Sequence, residues 1–292
     1  MADVSGKCIG FVGTGKISSC LVRGFATATG TGRPRRIVVS PRSEDKARAL
    51  KEDFPDLVEI GADNADVVSQ SDIVFVGLLP GVAREVLPQL PFGGAEGSKL
   101  VISMMAAVDM AEVLSLTGVS ADRAVRTVPL PSAARRQGPI LVYPSLPLAD
   151  AVLQLVGSPV GVSSEAELKP LVCLTGHISS FFELMRTTQD FMVSEGVDAS
   201  TARRYVSAFY SSLAQATEQS HESLADMAVE ARTPGGINEQ CMRIMGTSTH
   251  FDTQTQTLSA ILRRLRGQET YVPLSAFTQP KAQEGEEAEG GK

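Results

Sequence analysis

The feature that most constrains this chain is its opening run, Lys7-Cys-Ile-Gly-Phe-Val-Gly-Thr-Gly-Lys-Ile-Ser18. A short apolar stretch, 8–12, leads directly into glycines at 13 and 15, and 16–28 is compatible with a helix. A buried strand, a tight turn and a helix N-terminus in that order aim backbone N–H groups and the positive end of a helix dipole at one point. Dinucleotide-binding sheets receive a pyrophosphate on this arrangement. Gly13 suits the turn, and Gly15 leaves room for phosphates beside the backbone. Ser18 stands where the strict pattern has a third glycine, and a small residue there still lets the helix pack near the strand. Thr14, Lys16 and Ile17 complete the block, so 13–18 are the candidate phosphate ligands. The plain alternative is a structural turn.

The second strand candidate, 36–40, bears on the cofactor. An NAD site places Asp or Glu at the end of this strand, on the ribose 2′-hydroxyl. Here the chain reads Ser40-Pro41-Arg42-Ser43, with no acid. A guanidinium flanked by hydroxyls matches a phosphate, so Ser40 and Arg42 point to NADP(H). An ordinary solvated loop is the alternative.

Strand candidates recur at 8–12, 36–40, 57–60, 72–78, 99–104 and 123–129, with helical stretches at 16–28, 43–53, 64–70, 82–89 and 109–116 between them. Alternation of this kind predicts a doubly wound, mostly parallel sheet. The run 72–79 is continuously apolar after Asp72, as a strand covered on both faces should be, and Pro80-Gly81 stops it. A further pair of strands fits at 140–143 and 159–162. Beyond about 165 the period becomes helical, with segments at 165–175, 179–195, 200–219, 224–231, 238–245 and 255–266. Ser200 is a candidate N-cap, and Thr233-Pro-Gly-Gly236 is a break. The expected plan is α/β: an N-terminal Rossmann-type dinucleotide-binding domain over 1–162, then an all-helical dimerisation and substrate domain over 163–267. An extended or disordered tail over 268–292 follows, since its end is rich in Gly and Glu and lacks bulky apolar groups.

Composition narrows the function classes. The 292 residues carry a net charge of −6, which offers no global basic field to nucleic acid or anionic membrane. The four cysteines form no CxxC pair and the three histidines are isolated, so neither a metal site nor a disulfide framework is expected. No stretch reads as a membrane span, and the polar start is too short for a signal peptide. A cytoplasmic location is the expectation.

The glycine turn, the strand ending in Leu79-Pro80 and the Thr233-Pro-Gly-Gly236 break inside a helical half together resemble pyrroline-5-carboxylate reductases, NAD(P)H-dependent imine reductases of proline biosynthesis. The likeness runs over roughly 7–267, in order and at matching spacing. It implies a helical domain that interlocks with a second copy as a homodimer, and a substrate site near that seam. It also implies roles for particular positions. Asn64 matches an Asn near the adenosine ribose. Ser103-Met-Met-Ala-Ala107 matches the segment beside the nicotinamide, making Ser103, Met104 and Ala106 candidates. Pro80 matches the proline of a Lys-Pro pair, but Leu79 replaces the Lys.

The substrate side departs further from the family. Leu130, in Val128-Pro-Leu-Pro131, stands where the family has Asn, and the helix start Thr175-Gly-His-Ile-Ser-Ser-Phe181 replaces a Gly/Ser-rich one. After the paired glycines, Ile237-Asn238 replaces a small residue and Thr. By the resemblance, Thr233, Gly235, Gly236, Ile237, Asn238 and Leu130 are the candidate substrate contacts. Asn238 both donates and accepts hydrogen bonds, and a helix starting near Ile237 would present free amides to a substrate carboxylate. His177 could give a proton to the reduced nitrogen, so Asn238 and His177 are the catalytic candidates, with capping or packing as the alternative for both. Arg135-Arg136, with Arg126 nearby, could take a carboxylate or form a solvated loop.

The expected activity is NADPH-dependent reduction of a C=N bond in a small cyclic imine acid. The alternatives are reduction of a different imine or carbonyl, and a nucleotide-binding protein that has lost turnover.

Overall fold

A computed structural model describes residues 4–29, 32–93 and 99–270. The expected tail therefore lies, from 271 onward, outside the described residues. The first compact unit runs to Leu184 and the second begins at Met185.

The first unit opens with β1 (Cys8–Val12), α1 (Lys16–Ala26), β2 (Arg36–Val39), α2 (Glu44–Asp53), β3 (Val58–Ile60) and α3 (Asn64–Ser69). Next come β4 (Ile73–Val76), α4 (Pro80–Val86), β5 (Leu100–Ser103), α5 (Met110–Thr117) and β6 (Ala124–Val128). It closes with β7 (Pro139–Tyr143), α6 (Pro147–Gln154), β8 (Ser158–Gly161) and α7 (Glu165–Cys173), and a 3-10 turn over Leu174–His177 leads on into α8 (Ile178–Ser194).

The eight strands form one sheet in the order β3-β2-β1-β4-β5-β6-β7-β8. Every pairing is parallel except β6 with β7, where Thr127 faces Val142 antiparallel. Both faces are covered, so β1, β4 and β5 are buried along their whole length. Alternate residues feed two cores. Ile9, Phe11, Ile73, Phe75 and Ile102 point to the side of α1 and α6, where Phe11 and Phe75 stack with ring centroids 4.9 Å apart and Phe25 of α1 closes the cluster. Cys8, Val12, Val74, Val76 and Val101 point to the side of Val67, Val68, Ala83 and Val113 on α3, α4 and α5.

The structure departs from the sequence reading in four places. Helix α6 falls where no element was expected, although Pro147 at its first turn and the apolar Ala149, Val152 and Leu153 give it a start and an inner face. Helix α4 begins at Pro80 itself, since a proline needs no N–H donor in a first turn. The N-cap of α9 (Ala199–Gln219) is Asp198, which accepts from the Thr201 amide at 2.9 Å, and Ser200 instead donates its hydroxyl to that carboxylate. The last helix, α12 (His250–Leu265), begins five residues before the expected 255.

The second unit continues α8 and contains α9, α10 (Leu224–Glu230), α11 (Ile237–Thr247) and α12. Ala202 and Val206 are buried, but α8 and α9 carry Phe182, Phe191, Tyr205, Phe209 and Leu213 exposed. No described helix is long and apolar enough to cross a membrane.

Candidate cofactor and substrate sites

The turn after β1 is locked from beneath. Gly13 takes φ +97°, and a Cβ there would lie 2.5 Å from the Gly77 carbonyl oxygen, so the close approach of the β1 and β4 ends requires glycine. Its N–H donates to Ser40 Oγ at 2.9 Å, and its carbonyl accepts from Ser18 Oγ at 2.6 Å. Thr14 Oγ1 donates to the Ser40 carbonyl at 2.7 Å. Thr14, Ser18 and Ser40 are all buried. Their hydroxyls therefore hold the turn in shape and face away from solvent.

The open side of the turn is different. Among the described residues, no side chain caps α1 at its N-cap Gly15, and a Cβ at Gly15 would meet nothing within 4 Å. The first-turn amides of α1, including those of Lys16 and Ile17, face that space without intrahelical acceptors. These residues fit a pyrophosphate: a fixed turn, free donors, a helix dipole and room.

The neighbouring strand ends border this turn. The strand order places it where β1 passes to β4, the topological switch point at which open α/β sheets bind ligands. A Cβ on Gly77 would lie 2.9 Å from Met104 Cε, so the loop after β5 adjoins the turn. Ser103 and Met105 are buried, and Ala106 is exposed. Leu79 caps α4 from the end of β4 and is 76% exposed, an apolar group in solvent beside Pro80. Leu130, half-buried, follows β6, and its carbonyl accepts from Ala133 N at 3.0 Å.

Beyond β2, Arg42 is exposed and has no hydrogen bond or ion pair among the described residues. A cavity of about 380 Å³ lined by Pro41, Glu44, Ala47, Arg48 and Ile60 opens beside this loop. Asn64, first residue of α3, is half-buried and its side chain makes no hydrogen bond among the described residues, while Asp63 caps that helix.

In the second unit, the Thr233-Pro-Gly-Gly236 break is a turn in which Gly236 N donates to the Thr233 carbonyl at 2.9 Å and Gly235 takes φ +72°. Gly236 is then the N-cap of α11. Ile237 is 84% exposed. Asn238 Nδ2 donates to the Ala231 carbonyl at 3.1 Å, and Glu239 Oε2 accepts from Gly235 N at 2.8 Å. The helix start expected to present free amides and Asn238 thus also carries a carboxylate. In the first unit, His177 closes the 3-10 turn before α8, with Nδ1 3.3 Å from Ser180 Oγ and Nε2 buried without a partner among the described residues.

The basic loop after β6 resolves into separate parts. Arg136, at φ +60°, donates from Nε to the Leu155 carbonyl at 3.0 Å. Arg126 is buried and paired with Glu165, so it is not available to a carboxylate. Residue pattern alone singled out neither Glu165 nor Glu239. Each reads in sequence as an ordinary acid in a first helical turn, and only folding shows what its carboxylate reaches.

The fold and the turn define the class of this protein: a Rossmann-type α/β unit with a doubly wound sheet, followed by an all-helical region. Residues 8–107 match the family described as NADP oxidoreductase, coenzyme F420-dependent. The chain is similar to a pyrroline-5-carboxylate reductase of Acremonium sp, 25% identical over 87% of this chain and 91% of that one. It is also 29% identical to a pyrroline-5-carboxylate reductase of Methanosarcina acetivorans, over 66% of this chain and 73% of that one. Among solved structures, a 1-pyrroline-5-carboxylate reductase from Streptococcus pyogenes shares the fold with a TM-score of 0.75, covering 90% of this chain and 99% of that one at 18% identity. The chain is homologous to members of the pyrroline-5-carboxylate reductase family.

Proposed function

We propose that this protein is an NADPH-dependent reductase of the C=N bond in a small cyclic imine acid. The observation that carries the reading is the locked glycine turn with an open Gly15 face, in a chain homologous to pyrroline-5-carboxylate reductases. The functional division follows the sheet: 1–162 holds the cofactor and 163–267 serves the substrate and the partner copy.

The amides of 13–18 bind the pyrophosphate, and the buried hydroxyls of Thr14, Ser18 and Ser40 keep them aligned. Arg42 receives the 2′-phosphate, and Asn64 lies near the adenosine ribose. Leu79, Pro80, Ser103, Met104 and Ala106 border the nicotinamide end, where the apolar Leu79 and Met104 limit access of water. When bound, NADPH supplies the hydride that reduces the imine carbon. A protonated imine is already electrophilic, so no strong protein acid is required. Where the imine arrives unprotonated, His177 gives the reduced nitrogen its proton, and the first turn of α11 with Asn238 receives the substrate. Leu130 shapes the apolar wall.

A second reading, reduction of an imine or carbonyl without a carboxylate, is favoured by one observation: Glu239 already places a negative charge at the start of α11. An NADPH-oxidation assay over cyclic imines with and without a carboxylate and carbonyl compounds without one, run beside an NADPH binding titration, tests both. Turnover of carboxylated imines supports the first reading, and turnover of only the others supports the second. Binding without turnover of any compound removes both.

The protein works as a homodimer in the cytoplasm. What supports the dimer is the apolar surface of α8 and α9. Light scattering at micromolar concentration should give twice the chain mass of 30.9 kDa, and a monomer mass would remove this part of the proposal.

A further inference from the structure

Immediately after Ser103 the chain leaves β5 and crosses residues 104–109 before α5 begins at Met110. Ser103 sits beside Arg126 of β6 in the parallel register. Arg126 is 5% exposed, a guanidinium withdrawn from water at a cost that only partners offset. Its Nη1 donates to Glu165, the first residue of α7. Its Nη2 donates to the Ala106 carbonyl at 3.0 Å and reaches the Met105 carbonyl at 3.4 Å. The same Glu165 oxygen accepts from the Met110 amide at 2.7 Å. One ion pair thus grips this loop at both ends: Arg126 holds two carbonyls at its start, and Glu165 holds the first amide of the helix at its finish.

A pair that served only the core would spend its donors within the core. This one spends them on the loop that borders the glycine turn through Met104 and Gly77 and that exposes Ala106 at the ligand edge of the sheet. We propose that Arg126 and Glu165 are positioning residues that set the height and tilt of the 104–107 loop, and through it the seat of the nicotinamide. The fork of the guanidinium is essential to this role, because two carbonyls and a carboxylate must be reached at once. The inference rests on the NADPH reading above.

The test uses the full chain and NADPH. Glu165→Gln keeps the side-chain shape and removes the charge. Arg126→Lys keeps the charge and removes the fork. Leu168→Ala, at a buried position of α7, is the control for lost packing alone. Emission from bound NADPH reports the surroundings of the nicotinamide with or without turnover, and kcat and KM on the imine that the unmodified protein turns over report alignment. Both pair variants should melt cooperatively and shift the emission of bound NADPH. Each should lower kcat by about tenfold while KM for the imine moves less than about threefold, because misplacement of reacting groups is felt in kcat. Emission and kcat equal to the unmodified protein in both variants would overturn the proposal, as would equal changes in Leu168→Ala. If Glu165→Gln does not fold, Arg126→Lys decides alone. An unmodified protein that leaves NADPH emission unchanged on mixing would overturn the NADPH reading and this inference with it. That failure is distinguishable, since it appears before any substitution is made.

Discussion

Ser40 Oγ lies 2.9 Å from the Gly13 amide and accepts its hydrogen, so the end of β2 is fastened to the turn after β1. Ser40 is also buried, with its carbonyl taken by Thr14. A residue read from sequence as a hydroxyl for the 2′-phosphate is therefore placed to shape the pyrophosphate turn. Ser40→Ala should weaken NADPH and NADH alike, each by about tenfold, the size of one lost buried hydrogen bond. Fluorescence titration of both cofactors checks this. A loss confined to NADPH would return Ser40 to the 2′-phosphate.

Arg42 should behave in the opposite way. It is exposed and unpaired among the described residues, beside the loop that follows β2. Arg42→Ala should weaken NADPH by about ten- to a hundredfold, the range of a lost charge-assisted contact, and leave NADH nearly unchanged. Equal affinities for the two cofactors in the unmodified protein would contradict the assignment.

Gly13→Ala should be costly for two reasons acting together. The residue holds φ +97°, and the added Cβ would lie 2.5 Å from the Gly77 carbonyl oxygen. Backbone strain and overpacking at such a site cost about 1–3 kcal/mol each. Urea unfolding should show the loss of stability, and NADPH titration should show no saturable binding.

The start of α11 offers a charge test. Glu239→Gln removes the carboxylate that accepts from Gly235 N at 2.8 Å and leaves an acceptor in its place. KM for a carboxylated imine should fall by about three- to tenfold, while KM for an imine without a carboxylate should hold, because only the first feels like-charge repulsion. Asn238→Ala, which loses the contact with the Ala231 carbonyl, should lower kcat/KM by about ten- to a hundredfold with NADPH affinity unchanged. A variant that melts early but turns over normally while folded would leave Asn238 as a cap only.

The Asp198 cap should make α9 acid-sensitive. Hydrogen bonds from the Ser200 hydroxyl and then the Thr201 amide hold its carboxyl below the usual range. A carboxyl lowered in the folded chain stabilises it fully above the unfolded value, near about 3.9, and the contribution disappears as pH falls through the lowered folded value. Asp198→Asn keeps a cap that does not titrate. The Tm difference between the two proteins should therefore hold steady from pH 6 to about pH 5 and narrow below that, through this window. A difference constant with pH would remove the cap as the acid-sensitive element.

The sequence by itself determined the sheet and most of its helices, because local period and burial agree there. A strand covered on both faces must be continuously apolar, as at 73–76, and a turn at φ +97° under a neighbouring carbonyl must be glycine, as at 13. The helical second half was legible from its period, not its burial, since among the described residues helices α8 to α12 bury only Ala202 and Val206. Tertiary structure decided which polar groups remain free. Ser40 and Arg126 each carry chemistry that sequence can name, but their partners, Gly13 and Glu165, lie 27 and 39 residues away and meet them only on folding. Helix α6 was not legible, since a proline and three apolar residues between the last two strands specify a helix only once a sheet face is present to bury them. Hydrogen bonds act over about 3 Å, whereas periodicity acts over whole elements. Sequence pattern therefore settles elements before it settles contacts, and the candidate site is made of contacts.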